Sequence, residues 1–152
     1  MGSPAFLLYE DSPRVDMWLK LMLGGILVLL LVVGVSLLFE DTGGAFAIFG
    51  ATVFNAVLFK IIMPQRYQIY SDRVRIVLGG PFAWNIPFST IKEVRSASGA
   101  KSFAYGGVRF ATSSKSVVEI TRSKGCNVVI SPYDRDIFLE HVNRAMKVAG
   151  RG

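Results

Sequence analysis

Hydrophobic positions along this chain follow two regimes. From Trp18 to Phe39 they are nearly continuous, with Lys20 the only charge, and from Gly44 to Met63 they run on again with Lys60 the only charge. Between the runs stands the polar stretch Glu40-Asp41-Thr42-Gly43. At about 1.5 Å of rise per residue, each run of roughly 20 residues is long enough for a hydrocarbon core of about 30 Å. The pattern predicts a helical hairpin, spans 18–39 and 44–63, joined by a tight acidic turn. Both lysines lie near span ends, where a long stem lets the ammonium reach the headgroups. A signal peptide is the competing reading of the first run. That run exceeds the usual apolar core of about 7–15 residues, and no small-x-small cleavage site follows it before Glu40.

Beyond Pro64 the period falls to two. Tyr67 and Ile69, then Val74, Ile76 and Leu78, alternate with polar neighbours around Ser71-Asp72, which reads as strand, two-residue turn, strand. Further strands are expected at 82–87, 90–96, 107–112, 117–122 and 126–131, with turns at Ser98-Gly99, Ser113-Ser114 and Lys124-Gly125. After Asp134 the apolar residues Ile137, Phe138, Val142, Ala145 and Met146 recur at helical spacing. Seven antiparallel strands and one amphipathic helix covering an open end of the core are thus expected over 64–149. Residues 1–17, with Pro4, Pro13 and an apolar patch at 5–9, read as a separate segment lying at the interface or on a partner, and 150–152 as a tail.

Composition sharpens the picture. Of the 152 residues 51% are hydrophobic, more than an ordinary aqueous domain needs, and the charge is uneven. Residues 1–63 carry three basic and five acidic side chains, whereas 64–152 carry fourteen basic and six acidic, so the net +6 is concentrated beyond the hairpin. The hairpin turn has no cation, while Arg14, Lys20, Lys60, Arg66, Arg73 and Arg75 flank the other ends of the spans. The positive-inside bias therefore predicts a two-pass protein of the cytoplasmic membrane with both termini in the cytoplasm. A basic aqueous part expects an anionic neighbour such as lipid headgroups, an acidic protein face or nucleic acid.

Candidate chemistry is sparse. Gly44, Ala47, Ala51 and Asn55 share one face of the second span and mark a possible transmembrane helix contact, with Asn55 turned to the other helix or a partner. Cys126, the only cysteine, reads as a small buried hydrophobe, and His141, the only histidine, as a half-buried packing residue. No ligand set at metal-binding spacing and no phosphate-loop motif is present, so no metal, cofactor or catalytic residue is expected. Asp134, Asp136 and Glu140 fall in the first turns of the last helix, where acids favour the dipole rather than paired-carboxylate chemistry. The aromatics Tyr67, Tyr70, Phe82, Trp84, Phe103, Tyr105 and Phe110 lie scattered through core-like strands and form no stacking platform for nucleic acid.

The strand-Ser-Asp-strand unit at 67–78, the segment 82–94 (FAWNIPFSTIKEV), the strand pair VVEI at 117–120 and GCNVVISP at 125–132, and the closing helix together resemble bacterial pleckstrin-homology-like (PH-like) domains fused to pairs of membrane helices. The resemblance covers about 64–148. It implies an α+β membrane protein: a two-helix transmembrane hairpin followed by a seven-stranded antiparallel bent barrel with a C-terminal helix. It also implies a non-catalytic role in oligomerisation or protein association at the membrane. Together with the small-residue face of the second span, the basic strands and the lack of a catalytic grouping, the leading expectation is an accessory, scaffold or assembly subunit of a membrane complex, or a homo-oligomer. Arg66, Arg73 and Arg75 resemble the basic first strands of phosphoinositide-binding members, so an anionic-lipid headgroup or partner contact there is the alternative. A subunit contributing to a shared enzyme or transporter site is a further one.

Overall fold

The computed structural model describes residues 5–97 and 106–150 and divides the chain into two compact units, one of residues 16–62 and one made of 1–15 together with 63–152. The expected turn at Ser98-Gly99 and the aromatics Phe103 and Tyr105 lie outside the described residues.

The first unit is the helical hairpin. Helices α1 (Met17–Leu37) and α2 (Thr42–Ile62) match the two apolar runs within two residues at each end, and both are long and apolar enough to cross a membrane. The turn is closed by backbone bonds, with Asp41 N donating to Leu37 O at 2.7 Å and Ala45 N to Asp41 O at 3.0 Å. Three polar side chains inside the apolar helices each donate a hydrogen bond to their own helix. Ser36 Oγ donates to Val32 O (3.0 Å), Thr52 Oγ1 to Ile48 O (2.8 Å) and Asn55 Nδ2 to Ala51 O (2.8 Å). In hydrocarbon no water is available to take such donors, so bonding four residues back removes the cost within the helix.

In the second unit the alternating stretches form strands as expected, but they assemble differently. Sheet one runs β1-β2-β3-β4, with β1 Leu7–Asp11, β2 Pro64–Tyr70, β3 Arg73–Leu78 and β4 Ala83–Pro87. Sheet two runs β5-β7-β8-β6, with β5 Ile91–Ser96, β6 Val108–Phe110, β7 Val118–Arg122 and β8 Val128–Ile130. The expectation of one seven-stranded antiparallel barrel is therefore corrected to two four-stranded sheets, and β6 pairs with β8 in parallel. The sheets part where Phe88–Thr90 forms a 3-10 turn between β4 and β5, and the eighth strand comes from the segment expected to be separate.

That strand, β1, precedes the hairpin and pairs antiparallel with β2, which follows it: Glu10 faces Gln68 and Asp11 faces Tyr67. The hairpin thus takes the place of the loop in an ordinary β-hairpin. Past β1 the chain crosses to sheet two, where Tyr133 N donates to Ser12 O (2.9 Å) and Arg14 N to Ser131 O (2.9 Å). A buried polar seam backs this crossing. Thr112 N donates to Ser131 Oγ (2.8 Å), Thr112 Oγ1 to Arg14 O (2.7 Å), and Tyr67 Oη to Phe110 O (2.9 Å).

Helix α3 (Arg135–Ala149) starts at Asp134, whose carboxylate accepts Ile137 N at 3.2 Å, and buries Phe138, Val142 and Ala145. These pack on Tyr67, Ile69, Val74, Ile76 and Ile86 of sheet one and Val118, Ile120, Val128 and Ile130 of sheet two. Alternation puts Val129 on the opposite face of sheet two, in a second small cluster with Ala111 and Val117.

Candidate functional site

The three arginines of the basic strands share the outward face of sheet one. Tyr67, Ile69, Val74 and Ile76 turn inward, so Arg66 on β2 and Arg73 and Arg75 on β3 turn out, with Arg75 flanked across the ladders by Gln68 and Asn85. Their surroundings differ. Arg66 Nη1 lies 3.4 Å from Glu10 Oε1, and Glu10 also accepts Gln68 Nε2 at 2.6 Å. Arg73 Nε lies 2.9 Å from Asp72 Oδ1. These pairs are exposed and weak, yet they offset two of the three charges. Arg75 alone has no carboxylate within ion-pair distance among the described residues, and its Nε is buried without a hydrogen-bond partner. The alternation in the sequence puts Arg73 and Arg75 on one face, and Asp72 stands next to Arg73 in the turn; the acid beside Arg66 is not visible in it, because Glu10 lies on the strand before the hairpin.

Of the four small or polar positions expected on one face of the second span, three are partly covered within the hairpin. Ala47 is exposed, Gly44, Ala51 and Asn55 are half-buried, and the buried positions are Gly34, Ala45 and Thr52. A Cβ at Gly34 would stand 2.7 Å from the Phe49 ring, so this glycine admits a close approach of the two helices. A Cβ at Gly44 would meet the Asp41 carboxylate at 2.6 Å, so the small residue there serves the turn.

Cys126 is exposed, which corrects the expectation that it is buried. Strand β8 begins only at Val128, leaving Cys126 in the turn after Gly125, whose φ of +90° suits glycine. His141 is half-buried and stacks flat on Tyr9 of β1, with ring centroids 4.3 Å apart and planes 8° from parallel. Beside this stack an apolar groove of about 290 Å³ runs between β1 and α3, lined by Phe6, Leu8, Ala145 and Val148 with Arg144 at its rim.

Carboxylates meet at the start of α3. Asp11 Oδ2 accepts the Asp134 backbone N–H at 3.2 Å and Asp11 Oδ1 accepts that of Ser12 at 2.7 Å. Partial burial nevertheless raises the Asp11 carboxyl above the ordinary carboxylate range, and the Asp134 charge adds to the rise. Burial, then the Asp11 and Asp134 charges, also raise the Tyr9 hydroxyl. Among the described residues no three of His, Cys, Asp and Glu converge so as to hold a metal ion.

Neither a curated protein nor a solved structure matches the chain. A family model, that of the bacterial PH domain, matches residues 65–146. The matched stretch begins in β2 and ends in α3; β1 and the hairpin lie outside it. PH-like domains are in general non-catalytic. With more than half of its length matched, and with two sheets closed by a C-terminal helix, the chain belongs to the bacterial PH domain family.

Proposed function

We propose that this protein is a non-catalytic, membrane-anchored PH module that acts as an accessory, scaffold or assembly subunit, bound to an integral membrane protein or to copies of itself. In this reading the hairpin crosses the cytoplasmic membrane twice and both termini are cytoplasmic, in keeping with the cation-free outer turn. The observation that carries it is the pairing of β1 with β2 on either side of the hairpin. Both spans lead into adjacent strands of one sheet, which suits a module that fixes position at a membrane better than one that turns over a soluble substrate. The test is purification in mild detergent followed by mass and size analysis. The reading expects a stable co-purifying membrane protein or a homo-oligomer, and a clean monomer would overturn it.

The second reading, an anionic-lipid sensor on the outward face of sheet one, is favoured by Arg75, the arginine of the three that no carboxylate among the described residues offsets. Its expected signature is loss of lipid dependence on combined substitution of Arg66, Arg73 and Arg75 by Gln in nanodiscs of varied anionic-lipid content.

A further inference from the structure

A second basic feature lies away from the strand arginines. A polar, open cleft of about 230 Å³ forms where three segments meet: Arg14 from the stretch after β1, Lys115 from the connection before β7, and Tyr133 to Asp136 at the start of α3. The backbone on both cationic sides is tied down. Arg14 N donates to Ser131 O at 2.9 Å while Arg14 O accepts Thr112 Oγ1 at 2.7 Å. Lys115 N donates to Ser113 Oγ at 3.1 Å, and next to it Ser116 Oγ donates to Pro132 O at 2.6 Å.

The charges in the cleft do not cancel. Asp134 is engaged as the cap of α3, and Asp136 pairs with Arg135 at 3.1 Å. Arg14 and Lys115 have no carboxylate within ion-pair distance among the described residues. The Arg14 guanidinium instead lies over the Tyr133 ring, 5.9 Å from its centroid. A planar guanidinium can donate two parallel hydrogen bonds to a phosphate, and a lysine lining the same cleft adds a point charge. Arg14 stands three residues before Met17, the first residue of α1, so the ligand source nearest along the chain is the headgroup layer that span enters.

We propose that this cleft binds the phosphodiester of an anionic membrane lipid through Arg14 and Lys115. The proposal rests on the hairpin being membrane-inserted, and it places the headgroup contact here rather than on the face of sheet one.

The test uses the full chain in nanodiscs of phosphatidylcholine with or without phosphatidylglycerol, reading retained lipid by native mass spectrometry and thermal unfolding in parallel. Incorporation into the disc, read by size-exclusion, reports separately on anchoring. Phosphatidylglycerol is expected to be retained and to stabilise the wild type, and binding should weaken about fivefold for each cation removed in Arg14→Gln and Lys115→Gln. The phosphatidylcholine disc serves as the folding control, since both substituted side chains are exposed. Arg66→Gln/Arg73→Gln/Arg75→Gln should leave retention unchanged. Equal retention by the Arg14→Gln/Lys115→Gln variant, loss confined to the sheet-face variant, or the same stabilisation by free inorganic phosphate would each overturn the proposal.

Discussion

Tyr9 and His141, 132 positions apart, stack face to face with centroids 4.3 Å apart. The pair clamps the strand that precedes the hairpin to the helix that ends the domain. Tyr9→Ala should therefore lower the stability of the full chain by about 2 kcal/mol, the stacking of an aromatic pair plus the apolar area lost. His141→Ala should cost nearly as much, and the double variant less than the sum. Thermal unfolding in detergent is the measurement, and additive losses would place the rings in independent roles.

Gly34 and Phe49 set the approach of the two spans. A methyl at Gly34 would enter the ring at 2.7 Å, so Gly34→Ala should loosen the hairpin at a cost of about 1–3 kcal/mol. Phe49→Ala in the same chain should recover part of that loss. Cysteine cross-linking between the spans, in a Cys126→Ser background, reads the spacing directly.

Tyr67 is fully buried, and desolvation drives its hydroxyl pKa well above the ordinary phenol range. Tyr67→Phe leaves the Phe110 carbonyl and the Ser131 N–H short of a partner and should cost about 1–3 kcal/mol. In the unfolded chain this hydroxyl loses its proton from about pH 10, while the folded state keeps it. The advantage of wild type over Tyr67→Phe is thus complete below pH 10 and shrinks as pH rises beyond it, as alkaline unfolding curves of the two proteins should show.

Asp11 has the same sign in the acid range. Its carboxyl is raised by desolvation, so in the window just above the ordinary carboxylate value of about 4 the folded chain holds a proton that the unfolded chain has released. Its contribution is fully present below that window and falls as pH rises through it. The stability difference between wild type and Asp11→Asn should accordingly decrease from pH 3 to pH 6, and an increase would contradict the assignment.

Much of this architecture was legible in local pattern. The spans show as nearly continuous apolar runs, β2 and β3 as alternation, β4 to β8 as short strand-like stretches between turns, and α3 as a 3.6-residue period with Asp134 before it. The resemblance to the family rested on the same stretches. Strand β1 was not legible, because its partner Ile69 lies 60 residues on from Tyr9 across the hairpin, and a bulge between Leu7 and Tyr9 breaks its alternation. The same long sequence separation hides Glu10 beside Arg66, Asp11 beside Asp134, and the cleft that Arg14 and Lys115 both line. The grouping into two sheets with a parallel β6–β8 pair depends on contacts between distant segments, which periodicity does not encode. The bond that Asn55 donates to the carbonyl of Ala51 in its own helix is likewise not written in the apolar pattern.

The strand before the hairpin belongs to the sheet after it. Glu10 and Gln68 stand opposite each other on β1 and β2, within the Cα separation of about 4.5–5.5 Å that a disulfide can bridge. The decisive measurement places cysteines at 10 and 68 in a Cys126→Ser chain carrying a protease site in the 40–43 turn. Oxidation followed by cleavage should leave the two halves covalently joined for the 10/68 pair and separate for a control pair at 10 and 85, since Asn85 lies two strands farther across the sheet. Separation of the halves in the 10/68 variant, or equal joining in both, would contradict the account.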